Sequence, residues 1–119
     1  MCMISDHFSS YEFACRCGCG FSAVSTELVV LLEDMRDYFS APVIINSGCR
    51  CPQHNSRIGG AKTSLHLDGL AVDCMVNGYS SEIVYKWLES EYPNSLGLGL
   101  YRTFVHIDLR NDKTRWNRC

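Results

Sequence analysis

No stretch of this chain approaches the roughly 20 consecutive apolar residues that span a bilayer, and no run of Lys and Arg appears anywhere in it. With 11 basic against 13 acidic residues and a formal net charge of -2, a phosphate-neutralising surface for nucleic acid is not expected. The amino end, Met1-Cys2-Met3-Ile4-Ser5-Asp6-His7, lacks the basic start and apolar run of a secretory signal. The sequence therefore predicts a protein made in the cytoplasm that binds neither nucleic acid nor membrane. If it acts outside, something else must deliver it. Internal repeats and linkers are also missing, and 119 residues suffice for one core but not two. A single domain over residues 1–119, acting as a monomer, is the expectation.

Cysteine, by contrast, is plentiful: Cys2, Cys15, Cys17, Cys19, Cys49, Cys51, Cys74 and Cys119. In a secreted chain this count reads as a disulfide framework; without a signal, reduced thiols or bound metal are more natural. The run Cys15-Arg16-Cys17-Gly18-Cys19-Gly20 is too short and glycine-rich for a regular element. Its three alternating thiols, joined by Cys49 or Cys51, make a second, structural zinc site one reading, although zinc thiols are usually spaced by two to four residues. A reduced, packed loop is the other. A thiol sensor is disfavoured, because no C-x-x-C pair is present.

Periodicity supplies the elements. Phe8 to Phe13 suits a short helical turn or an irregular entry. Ser25 to Phe39 predicts the main helix, with Leu28, Leu31, Leu32, Met35 and Phe39 on one stripe and Ser25 as its cap. Pro42 to Asn46 is a β-branched strand, and Gln53 to Gly60 is a loop or short helix. Leu70 to Val76 reads as a largely buried strand ending at the Asn77-Gly78 turn. Ser80 to Glu91 predicts a second helix that buries Ile83, Val84, Trp87 and Leu88. Gly97 to Tyr101 and Phe104 to Leu109 then form an antiparallel pair. Helices flanking a small, mostly antiparallel sheet make the fold class α+β.

The chemistry concentrates in Ser64-Leu65-His66-Leu67-Asp68-Gly69-Leu70-Ala71-Val72-Asp73 and in Val105-His106-Ile107-Asp108. His66, Asp73 and His106 are two imidazoles and a carboxylate, the ligand types of a catalytic Zn²⁺. Gly69 between the first two suits a loop ligand, a tight turn, then a strand ligand. Three protein ligands leave a fourth position for water, as in a hydrolytic site.

These segments resemble a known family. Ser64-x-His66-x-x-Gly69-x-Ala71-x-Asp73 is similar to the S-x-H-x-x-G-x-A-x-D signature of the M15 zinc D-Ala-D-Ala peptidases, whose fold is shared with the amino-terminal signalling domain of Hedgehog. His106-x-Asp108 resembles the family's H-x-D segment. Ser47-Gly48-Cys49-Arg50-Cys51-Pro52-x-His54-Asn55 resembles its S-G-x-R-C-P-x-x-N segment, and Arg115-Trp116 fits a branch of small phage and prophage members.

The resemblance implies His66, Asp73 and His106 as zinc ligands and a peptidoglycan stem or cross-link peptide as substrate. Phage-type endolysin endopeptidase activity is the expectation, with D-Ala-D-Ala carboxypeptidase activity or a non-catalytic zinc binding module as alternatives. Arg50 matches the arginine that binds substrate or stabilises the oxyanion, a task suited to its forked donors. Ser64 binds substrate or fixes the loop. Many members carry a carboxylate three residues before the last histidine, where this chain has Thr103. Asp108, on the same strand face as His106, is then the best-placed catalytic proton acceptor. Its other reading is a carboxylate that orients a ligand histidine. Asp68 and His54 are weaker candidates.

Overall fold

The computed structural model describes residues 3–119, so Cys2 lies outside them. Its three α-helices are α1 (Thr26–Phe39), α2 (Pro52–Arg57) and α3 (Ser81–Glu91). Five strands, β1 (Val43–Ser47), β2 (Ala71–Val76), β3 (Gly97–Leu100), β4 (Val105–Asp108) and β5 (Thr114–Asn117), form one sheet in the order β1-β2-β4-β3-β5. All pairs are antiparallel except β3 with β5. The fold is α+β and mostly antiparallel, the class the periodicity predicts.

One face of the sheet carries the core. Val72, Cys74 and Val76 of β2, Leu98 and Leu100 of β3, and Val105 and Ile107 of β4 are buried in a single cluster. Leu28, Leu32, Met35 and Phe39 of α1 and Val84 and Leu88 of α3 complete it. Each buried aliphatic side chain contributes about 1.5–3 kcal/mol. The buried stripe of α3 runs through Val84 and Leu88, so Ile83, expected inside, is 51% exposed. Its helical phase lies one residue off the core-facing line. Trp87 stays half-buried, stacked on Tyr38 at 5.2 Å.

The alternate residues of each strand face the other way, and the register aligns them into a transverse row. Ser47 opposes Asp73, Asp73 opposes His106, His106 opposes Gly99, and Gly99 opposes Trp116. Directly opposed residues share a face and lie close enough to interact. A bulge between Ile45 and Ser47 brings the β1 end into this row.

Strand β5 was not expected, because Thr114-Arg115-Trp116-Asn117 has no alternating apolar pattern. It is held instead by pairing with β3 and by Arg115, which donates to Glu89 and to the carbonyls of Leu96, Tyr92 and Ser95. The gap at Gly99 lets the Trp116 indole lean across β3 toward His106, ring centroids 5.2 Å apart. A methyl at Gly99 would run into that indole. Gly99→Ala should therefore cost about 1–3 kcal/mol, as overpacking does. Thermal unfolding should show a midpoint lower by roughly 4 °C or more; an unchanged midpoint would contradict this packing.

Candidate active site

His66 is placed by a 3₁₀ turn, Leu65–Asp68, between α2 and β2. Ser64 caps that turn by accepting from the His66 backbone N–H at 3.3 Å. Gly69 closes it with φ 69°, a left-handed conformation that disfavours a side chain, and a Cβ there would also collide with the Ala23 carbonyl. The Ser25 N–H, at the start of α1, donates to the Gly69 carbonyl at 2.9 Å. The motif glycine is thus a packing requirement as well as a turn.

The His66 ring is 2% exposed. Its Nδ1 lies 2.7 Å from the Gly48 carbonyl, which can only accept, so Nδ1 carries the proton and donates. Nε2 is left with a lone pair, buried and without a hydrogen-bond partner. An unsatisfied buried polar atom ordinarily costs about 1–3 kcal/mol. Here it lies 3.5 Å from Asp73 Oδ1, on the side where His106 converges.

His106 and Asp73 meet across the β2–β4 pair, with His106 Nδ1 2.8 Å from Asp73 Oδ1. On its other edge His106 Nε2–H donates to Asp108 Oδ2 at 2.8 Å. Burial alone would raise the Asp73 carboxyl, but the hydrogen bond from His106 and the closeness of both imidazoles hold it well below the ordinary carboxylate range. Burial opposes charge on His106, yet its hydrogen bonds to Asp108 and Asp73 raise it above the usual imidazole value.

One donor atom each from His66, Asp73 and His106 falls within 4.8 Å of the others. Ligands about 2.0–2.2 Å from a tetrahedral zinc lie some 3.3 Å apart, so little movement would close the three around one ion. The unpartnered His66 nitrogen, the shared carboxylate and the outer hydrogen bonds to Gly48 and Asp108 together fit zinc. The chain carries a second potential metal-binding group, Cys15, Cys17, Cys19 and Cys51.

Arg50 lies beside this centre. Its Nε donates to Ser47 Oγ at 3.3 Å, Nη1 to Asn55 Oδ1 at 3.2 Å, and Nη2 to Asp73 Oδ2 at 3.3 Å. Asn55 is itself fixed by donating from Nδ2 to the Ala61 carbonyl at 2.8 Å. The segment from Ser47 to Asn55 is therefore a cradle for one guanidinium.

Asp108 is fully buried, at 0% exposure. Besides His106 it accepts from Arg110 Nε at 2.8 Å and Arg110 Nη2 at 2.7 Å. Burial would raise its carboxyl, but these partners hold it far below the usual range. Both oxygens are committed. Thr103 and Asp68 are exposed and His54 is half-buried, and none of the three lines the cleft.

The three ligand candidates open on a cleft of about 620 Å³ whose lining includes Arg50, Ser64, Tyr101, Phe104, Arg110 and Trp116. Tyr101 and Phe104 stack 4.4 Å apart, and the Tyr101 hydroxyl accepts from Trp116 Nε1 at 3.1 Å. The Arg110 guanidinium sits 5.2 Å from the Trp116 ring centre, at cation–π distance. Sequence reasoning gave no role to Tyr101, Phe104, Arg110 or Asn55. The two-residue strand period, continued past Asp108, was the signal that points to Arg110.

A family model described as Peptidase M15 matches residues 6–108. That span holds His66, Asp73, His106, Asp108 and Arg50 and stops short of Arg110 and Trp116. No curated protein matches the chain.

Proposed function

Because this chain belongs to the M15 peptidase family, whose members are zinc enzymes, we propose that it hydrolyses peptidoglycan stem or cross-link peptides as a phage-type endolysin endopeptidase. The observation that carries the reading is the buried, unpartnered His66 Nε2 facing Asp73 and His106 at the floor of a peptide-sized cleft. His66 Nε2, Asp73 Oδ1 and His106 Nδ1 would hold the ion. A zinc ion bound there supplies Lewis acidity toward water and toward a peptide carbonyl.

The chain's own residues do the rest. Asp108 takes the His106 Nε2 proton as a hydrogen bond, which fixes the ring and leaves Nδ1 directed at the ligand cluster. With both oxygens committed, it serves as a positioning residue in this reading rather than as the proton acceptor. Arg50 anchors the oxygen of Asp73 that faces away from the histidines, and each of its Nη atoms keeps a second N–H. Arg50 lines the cleft, and its forked donors suit a substrate carboxylate or a developing oxyanion. Ser64 acts through its cap on the His66 turn. Tyr101, Phe104 and Trp116 form an apolar wall for the peptide's alkyl groups. The protein works as a monomer that reaches the wall after release from the cytoplasm.

The test is mass spectrometry of soluble products after zinc-loaded protein is incubated with purified peptidoglycan. New amino termini on D-Glu or on the cross-linking residue are the expected result. Free D-Ala alone would make the protein a carboxypeptidase. The absence of product from several wall types, with zinc bound, would favour a non-catalytic binding module. The feature that speaks for this second reading is Thr103, together with the engagement of both cleft-lining carboxylates, Asp73 and Asp108.

A further inference from the structure

The thiol-rich amino-terminal loop lies outside the cleft, and nothing in the proposed hydrolysis uses it. Cys15, Cys17, Cys19 and Cys51 nevertheless bring their four sulfurs within 4.8 Å of one another. Cys17 Sγ is 3.5 Å from Cys15 Sγ and 3.5 Å from Cys51 Sγ. Thiolates about 2.3 Å from a tetrahedral zinc stand about 3.8 Å apart along each edge, so the sulfurs already approximate that tetrahedron. Gly18, at φ 87°, turns the chain back between the thiols. Two backbone N–H groups point at the sulfurs: Cys51 N–H donates to Cys15 Sγ at 3.4 Å, and His54 N–H to Cys51 Sγ at 3.4 Å. Such donors are what ligating thiolates require.

We infer that Cys15, Cys17, Cys19 and Cys51 bind a structural Zn²⁺ that staples the amino-terminal loop to the segment carrying Gly48 and Arg50. Four sulfur ligands close the coordination sphere, which distinguishes this site from the three-ligand centre in the cleft. Four thiols become thiolates on binding, and their protons pass to solvent. Cys49 is not a ligand; it is buried beside the loop, outside the four-sulfur group.

The position of the staple gives it a task. Cys49 N–H donates to the Phe13 carbonyl at 2.9 Å, and a Cβ on Gly48 would come within 2.9 Å of the Phe13 backbone. Arg16, between the first two thiols, donates from Nη2 to the Ile45 carbonyl of β1 at 2.7 Å. The loop thus packs against residues 45–51, and those residues present the Gly48 carbonyl to His66 and the Arg50 guanidinium to Asp73. The bound ion fixes the outer support of the catalytic centre without touching substrate.

Metal content decides the matter independently of hydrolysis. Protein purified under reducing conditions should carry two zinc ions per chain by native mass spectrometry and elemental analysis. Cys17→Ser/Cys19→Ser, at two exposed positions, should carry one, and His66→Ala should carry the other one. Cobalt loading should give thiolate-to-metal charge-transfer absorption in the wild type and in His66→Ala but not in the double serine variant. Cys49→Ser should keep both ions, which guards against a general folding defect. A zinc content that Cys17→Ser/Cys19→Ser leaves unchanged, a mass showing the four thiols paired as disulfides, or iron as the second metal would each overturn the assignment.

Discussion

His66→Ala is expected to reduce peptide hydrolysis to the level of a no-enzyme control and to remove the cleft zinc. Alanine deletes the imidazole whose Nε2 is buried without a partner and whose Nδ1 donates to Gly48. Two ligand types then remain, Asp73 and His106, too few to hold the ion against water. The loss should be at least about 1,000-fold in kcat/KM, the order found when a main electrostatic stabiliser of a hydrolytic transition state is removed. Asp73→Ala should behave alike and should also leave Arg50 Nη2 without its carboxylate partner. Zinc stoichiometry and product release are the measurements. Full activity in either variant with the cleft metal gone would refute the proposed site.

Asp108→Asn should lower the affinity for the cleft zinc by about 10–100-fold, the usual consequence of removing an outer partner of a ligand histidine. An amide presents one oxygen where the carboxylate offered two, so it cannot serve His106 Nε2–H, Arg110 Nε–H and Arg110 Nη2–H together. The His106 ring loses its fixed orientation, and Arg110 loses its forked contact. A competition titration against a chromophoric chelator reads the affinity, and kcat at saturating zinc reads the chemistry. The positioning role predicts weakened zinc binding and activity largely restored by excess zinc. Unchanged zinc affinity with kcat lost at every zinc concentration would instead make Asp108 the proton acceptor.

These two experiments bear on how far a sequence can be read. The ligand candidates were legible because their geometry is local. His66 and Asp73 flank a single glycine turn, and the two-residue strand period puts Asp108 on the His106 face. The core stripe of α1 was legible for the same reason, since Leu28, Leu32, Met35 and Phe39 follow the helical period. Strand β5 was not, because its residues have no β pattern of their own and take their conformation from β3, a non-local cause. The commitment of Asp108 to Arg110 was hidden likewise: spacing assigns a face, but it does not say which cation claims the oxygens. Between Cys49 and Cys51, two residues apart in an irregular turn, only the start of α2 decides. Cys51 caps that helix and faces outward to the thiol loop, while Cys49 turns into the interior.

The transverse row across the sheet makes the metal centre a checksum on strand alignment. Because side chains alternate faces, a slip of one residue in β2 or β4 would send Asp73 or His106 to the opposite side and scatter the ligands. A chain with a misaligned sheet therefore cannot bind the ion in the cleft. By mass action the ion rewards the one arrangement that can hold it. Zinc thus selects among near-native pairings, and a population that binds it stoichiometrically has by that fact passed an inspection of its sheet.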